Sequence, residues 1–180
     1  MRVLLIAAAT LAFGVPAFAQ PKRVEAFGQI GWMRWAGDDG GMGSAAGYGG
    51  AVMLPLTKRW AVDVDVLTSR QTITNGDYES KTRRTLFTPG IVARWGTERV
   101  YGFVGGGVGG QWDSADFTRG PIVGIPQAGH ASNSKFIYLH GKGGIVATMT
   151  GRLLFRADLG ISFPYVMPNA TVRAGIGWRF

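Results

Sequence analysis

The sequence predicts an all-β fold, an eight-stranded antiparallel up-and-down transmembrane β-barrel. Three observations lead there. Apolar and polar residues alternate with period two over long segments, 12 and 11 residues near the end of the chain, where an ordinary strand runs about 5–6. Long and short connections between such segments take turns. Charge is scarce, at 17%, and aromatic side chains gather near the segment ends. A tilted strand needs about 9–11 residues to cross a bilayer, and external loops of such barrels are long while the opposite turns are short.

Composition closes other routes. Six Trp and ten Phe within a 46% apolar chain of 180 residues exclude disorder. The absence of cysteine excludes a disulfide scaffold, an Fe–S site and a cysteine-based zinc site. The 29 glycines follow no G-X-Y period, which excludes collagen. The length suits one domain.

The elements follow in chain order. Residues 1–19 read as a cleaved secretory signal. Arg2 opens it, an apolar run follows to Val15, and Ala17-Phe18-Ala19 has the small-x-small form of a cleavage site before Gln20. The run is too short for a membrane helix, which needs about 20 residues. Residues 20–180 then form the barrel domain with a formal net charge of +7, since Arg2 is the one charge removed from the +8 total. No later stretch reaches the roughly 18 apolar residues of a helical span.

The first strand, 23–35, sets Val24, Ala26, Ile30 and Trp32 against Glu25, Gln29 and Arg34. The second, 45–57, sets Tyr48, Val52, Leu54 and Leu56 against Gly47, Gly49 and Ala51. The third, 59–70, alternates Trp60, Val62, Val64 and Val66 with Ala61, Asp63, Asp65 and Leu67. The fourth, 83–95, carries Phe87, Pro89, Ile91, Ala93 and Trp95 opposite Leu86, Thr88, Gly90, Val92 and Arg94. The fifth and sixth, 100–112 and 135–149, are interrupted by glycine, and the facing of the fifth is ambiguous. The seventh, 152–163, opposes Leu153, Phe155, Ala157, Leu159, Ile161 and Phe163 to Arg152, Leu154, Arg156, Asp158, Gly160 and Ser162. The eighth, 170–180, opposes Val172, Ala174, Ile176, Trp178 and Phe180 to Thr171, Arg173, Gly175, Gly177 and Arg179. Long loops are expected at 36–44, 71–82, 113–134 and 164–169, and tight turns near Thr57-Lys58, Gly96-Thr97-Glu98 and Thr150-Gly151. Trp32, Trp35, Trp60, Trp95, Tyr101, Trp112, Phe163, Tyr165, Trp178 and Phe180 are the candidates for two interfacial girdles. A soluble eight-stranded barrel shares the alternation; strand length, low charge and the girdles favour lipid.

The ending VRAGIGWRF resembles the C-terminal assembly signal of bacterial outer-membrane barrels, with Phe180 terminal and Trp178, Ile176, Ala174 and Val172 at alternate positions. With VEAFGQIGW, RWAVDVDV, YGFVGGGVGG and RLLFRADLGI, residues 23–180 resemble the small eight-stranded outer-membrane β-barrel domain family. The resemblance implies an integral outer-membrane protein in contact with outer-membrane lipid and lipopolysaccharide, inserted by the barrel-assembly machinery. It implies a structural or surface role and assigns no specific activity.

An eight-stranded barrel has an interior just filled by side chains. The inward set is expected to hold Glu25, Asp63, Asp65, Arg94, Lys142, Arg152, Arg156, Asp158, Arg173 and Arg179, with Arg156, Asp158, Arg173 and Glu25 in one network. Buried charges of this kind must pair or hold water. Gly175 and Gly177 are expected to leave room for long arginines. The charges fill and fix the barrel; a narrow ion or solute pore is the alternative.

Candidate chemistry is thin. His130-Ala131-Ser132-Asn133 resembles the H-x-S-N of outer-membrane lipid A deacylases, in which a histidine base serves a serine. That family's acid falls about 14 residues on; here Gly144 stands there, and the next acid is Asp158. A non-enzymatic chain is therefore expected, without a catalytic, metal or cofactor site. Asp38-Asp39 suits a turn. GFVGGGVGG lacks the GK[ST] ending of a phosphate loop. The pI near 10.3 comes from dispersed basic residues and does not indicate nucleic acid. The local run Lys81, Arg83 and Arg84 at the external end of the fourth strand reads first as solvated loop bases, with contact to lipopolysaccharide phosphates as the alternative. The external loop 113–134, with Phe117, Ile122, Val123 and Ile125, is the expected first contact surface for an extracellular partner.

Overall fold

The computed structural model describes residues 23–36, 42–75, 78–118, 128–164 and 168–180. The signal segment, Asp38-Asp39, Ile122, Val123, Ile125 and Tyr165 lie outside the described residues. Eight strands follow in order: β1 (Glu25–Ala36), β2 (Met42–Pro55), β3 (Trp60–Asn75), β4 (Tyr78–Gly96), β5 (Val100–Thr118), β6 (Ala128–Thr150), β7 (Leu153–Phe163) and β8 (Asn169–Arg179). Each pairs antiparallel with its neighbour, and β8 closes on β1 as a barrel. Closure removes the free sheet edges at barrel level.

The short connections are built from local chemistry. Thr57 Oγ1 accepts from the Arg59 and Trp60 amides at 3.1 and 2.9 Å in the β2–β3 turn. Gly96 and Gly151 supply the left-handed backbone of the β4–β5 and β6–β7 turns, with φ of 126° and 52°.

The strands are unequal. β1, β2, β7 and β8 have 12, 14, 11 and 11 residues; β3, β4, β5 and β6 have 16, 19, 19 and 23. The expected loops 71–82 and 113–134 are thus mostly strand. The β3–β4 ladder runs to Asn75 opposite Tyr78, and the β5–β6 ladder to Thr118 opposite Ala128. Both faces of these extensions lie largely in water, so the hydropathy alternation vanishes while Thr and Tyr keep the β preference. The result is a four-stranded sheet rising above the barrel mouth.

Apolar side chains face outward. Ile30 is 72% exposed, Leu159 61% and Ile176 58%. Trp32, Trp60, Trp95, Trp112 and Trp178 are also exposed on this face. Trp35 and Tyr101 are corrections to the expected girdles, because both point inward and are buried. Arg34, expected opposite Trp32, is exposed on the same outer face, since the inward positions of β1 are the odd ones.

The facing of β5 and β6 is now defined. Tyr101 and Phe103 are buried while Val104, Val108 and Trp112 are exposed. A register shift between Gly107 and Gly109 gives β6 one extra residue, so Ile137 and His140 both point inward while Phe136 and Leu139 both point outward. The β4–β5 ladder skips Thr88 and Pro89 at the same height, where proline has no amide to donate.

Candidate functional site

Lipid-facing alternation leaves the even positions of β7 and the odd positions of β3 and β8 inside the barrel, and those positions carry the charges. Arg156 is fully buried and donates through Nη1 and Nη2 to the two Asp63 oxygens at 2.8 and 2.9 Å. Its Nε donates to Asp158 at 2.7 Å. Arg173 Nε donates to the other Asp158 oxygen at 2.6 Å. Lys142 reaches Asp63 at 2.8 Å, pairs with Asp65, and donates to the Thr88 carbonyl at 3.1 Å. Three carboxylates thus face three cations in a neutral cluster fed from β3, β6, β7 and β8. The Arg156 guanidinium also lies 4.7 Å from the Phe103 ring centroid and 5.4 Å from that of Phe27.

Apolar layers sit on both sides of this cluster. Toward the short turns lie Phe27, Met53, Val92, Phe103, Val146 and Leu154, among others. Toward the outer mouth lie Met33, Trp35, Leu67, Leu86 and Ile137. Between them a cavity of about 20 Å³, lined in part by Thr88, His140, Ser162 and Arg173, has room for about one water. His140 donates from Nε2 to the Pro89 carbonyl at 2.8 Å, filling the gap that the proline and the bulge open.

The remaining expected lumen residues divide. Glu25 stands apart from the central cluster at the turn end, where Arg179 Nε donates to it at 2.9 Å and the Tyr101 hydroxyl also donates to it. Arg94 stacks 4.3 Å above the Tyr101 ring. Arg152 is outside the lumen: it is exposed in the β6–β7 turn, because β7 begins one residue later at Leu153. The room at Gly177 is taken by the Phe27 ring, 2.4 Å from where a Cβ would stand, and that at Gly175 by Gln29. Both fillers come from β1, the neighbouring strand, and neither is an arginine.

The outer mouth has its own network, which sequence reasoning missed. Arg84 donates from Nε and Nη2 to Asp113 at 2.7 and 2.9 Å and lies 4.5 Å from the Trp35 ring centroid. Gln111 donates to Asp113 at 2.7 Å and accepts from Asn169 at 2.8 Å. The alternation in the sequence ends the fifth strand at Trp112, which hides the inward parity that Asp113 shares with Gln111. On the outer face above, Lys81 pairs with Glu79 at 2.8 Å, and that hydrogen bond holds the ammonium above its ordinary pKa. His130 and Asp116 contact at 2.6 Å across β5 and β6. Ser132 is exposed two residues from His130, and among the described residues no hydrogen bond joins them. Val172, Ala174, Ile176, Trp178 and Phe180 share the outward face of the last strand, and the Phe180 amide donates to the Val24 carbonyl at 2.9 Å.

No family model and no curated protein matches the chain. Solved structures do. Ail, the attachment invasion locus protein of Yersinia pestis, superposes with a TM-score of 0.62 at 19% identity, over 87% of this chain and 98% of that one. Neisserial surface protein A gives 0.57 at 11% identity, over 87% and 97%. The N-terminal β-barrel domain of Pseudomonas aeruginosa OprF gives 0.56 at 14%, over 88% and 98%. The chain therefore has the fold of the small eight-stranded outer-membrane β-barrels.

Proposed function

We propose that the protein is an integral, non-enzymatic barrel of the bacterial outer membrane, closed to solutes, which holds the β3–β6 sheet outside as a surface for an extracellular partner. One observation carries this reading. The lumen is filled by a neutral ion cluster between two apolar layers, while four strands continue beyond the mouth. Such an interior stabilises the wall and leaves function to the outside. Residues 1–19 direct export, and Val172, Ala174, Ile176, Trp178 and Phe180 present the terminal strand to the barrel-assembly machinery. Ail has been solved in complex with the heparin analogue sucrose octasulfate, which is consistent with an external binding role for this shape.

Conductance tests the closed lumen: refolded protein in planar bilayers is expected to stay silent, and discrete channel events overturn the proposal. Replacing residues 115–131 by Asn-Gly, which joins the cross-strand partners Ser114 and Ser132, tests the sheet. The variant is expected to insert and to retain heat-modifiable migration. Failure to insert would make the projection structural.

A further inference from the structure

We infer that Arg70 and Arg83 form a phosphate site for an anionic lipid of the outer leaflet; this rests on the outer-membrane reading above. The two are direct cross-strand partners on β3 and β4, both exposed on the outer face. Like charges directly opposite in a sheet repel, so the pair is explained by an anion. Among the described residues the surrounding charges do not supply one. Arg84, the next residue, turns inward to Asp113. Lys81 and Glu79 satisfy each other, as do Asp116 and His130. Among the described residues no carboxylate pairs with Arg70 or Arg83.

The register fixes what surrounds the pair. Ser114 is the β5 partner of Arg83, and Ser132 is the β6 partner of Ser114, so the row Arg70, Arg83, Ser114, Ser132 crosses four strands. The next row toward the barrel is Tyr48, Thr68, Thr85 and Trp112. In it the Thr68 and Thr85 hydroxyls are 3.1 Å apart, and the Trp112 ring lies 6.5 Å from Phe87. Amphipathic rings of this kind sit at headgroup level. The two guanidinium groups therefore stand where lipid phosphates lie, directly above the apolar wall. Guanidinium forks match phosphate oxygens bidentately, and hydroxyls on the same row add donors.

Native mass spectrometry of the purified full chain in detergent tests the site, with diphosphoryl lipid A as probe. Wild type is expected to retain it, and Arg70→Gln/Arg83→Gln to retain it about tenfold more weakly or worse, as loss of charge-assisted hydrogen bonds implies. Arg59→Gln/Arg99→Gln, which removes the same charge from exposed turn positions at the other end, is expected to match wild type. Dephosphorylated lipid A is expected to bind no better than the double variant, and millimolar inorganic phosphate not to displace the lipid. Arg70→Glu serves as a second variant, because it gives Arg83 a cross-strand partner and secures folding while still removing the site. Equal retention by wild type and the Arg70 and Arg83 variants, equal binding of dephosphorylated lipid, displacement by free phosphate, or equally tight binding of soluble sucrose octasulfate would each overturn the inference. Failure of the refolded chain to insert into lipid vesicles would refute the outer-membrane reading, whereas an inserted barrel that does not retain the lipid would refute this inference alone, so the two failures are distinguishable.

Discussion

Asp63→Asn is the sharpest probe of the interior. The carboxylate accepts from Arg156 at 2.8 and 2.9 Å and faces Lys142 at 2.8 Å, and all three side chains are buried to within 1%. Asparagine keeps the shape, removes the charge, and turns an amide N–H₂ toward a guanidinium. The cluster of three carboxylates and three cations then carries an uncompensated positive charge away from water. Breaking a buried pair on one side costs about 3–5 kcal/mol. With a urea dependence of about 2 kcal/mol/M, the midpoint should fall by about 2 M. The assay is urea unfolding in lipid vesicles, followed by tryptophan fluorescence. Asp63→Asn/Arg156→Met restores neutrality and should lose less than the sum of its two single changes. If Asp63→Asn unfolds within about 0.5 kcal/mol of wild type, the charges are screened by water. The lumen would then be wet, and the argument for closure would fail.

Three more outcomes follow from other contacts. Gly144→Val would place its Cβ 2.3 Å from the Ala157 carbonyl and 2.5 Å from the Asp158 Cβ, so it should cost about 1–3 kcal/mol or more in the same unfolding assay; wild-type stability would contradict the packing. Among single-tryptophan variants, Trp112 and Trp60 should be quenched by brominated lipid and Trp35 should not, because only the first two face outward; quenching of Trp35 would reverse the assigned facing. Deleting Phe180, which is 66% exposed, should leave refolding in detergent intact and lower the inserted fraction in cells; unchanged insertion would remove the assembly role.

How much of this was legible depended on whether lipid faced the residue. In β3, β4, β7 and β8 one side is apolar and faces outward while the other faces the lumen, so the period of two reads directly, and Asp63, Asp65, Arg156, Asp158 and Arg173 lie inside the barrel. Above the lipid the alternation ends, and the extensions of β3 to β6 looked like loops for that reason. Arg70 and Arg83 became a pair only through register, which connects residues 13 positions apart in the chain. In β6 the bulge shifts parity between Ile137 and His140, so a single alternating pattern cannot fit the strand. Trp35 and Tyr101 were misplaced because an aromatic near a strand end suits either an interface or a lumen, and here Arg84 and Arg94 hold the rings inside.

The same contrast explains why the interior is ionic. Lipid is indifferent to where one glycine-rich strand slides along another, and β5 (VYGFVGGGVGG) presents little outward pattern to fix it. A slip by one residue would turn every inward group to lipid. The central cluster makes such a slip costly, because its members come from β3, β6, β7 and β8, and Gln29 of β1 also donates to Asp158 at 3.4 Å. A slip on any of these strands strands a charge in hydrocarbon. β5 contributes no charge to the cluster, and is located instead by Phe103 against Arg156 and by the coincidence of Pro89, the bulge and His140. An apolar lumen of equal volume would be as well packed and often as stable, but a slip would strand no charge. The ion cluster therefore penalises a slip of β3, β6, β7 or β8, and the extensions of β3 and β6 above the mouth share that register.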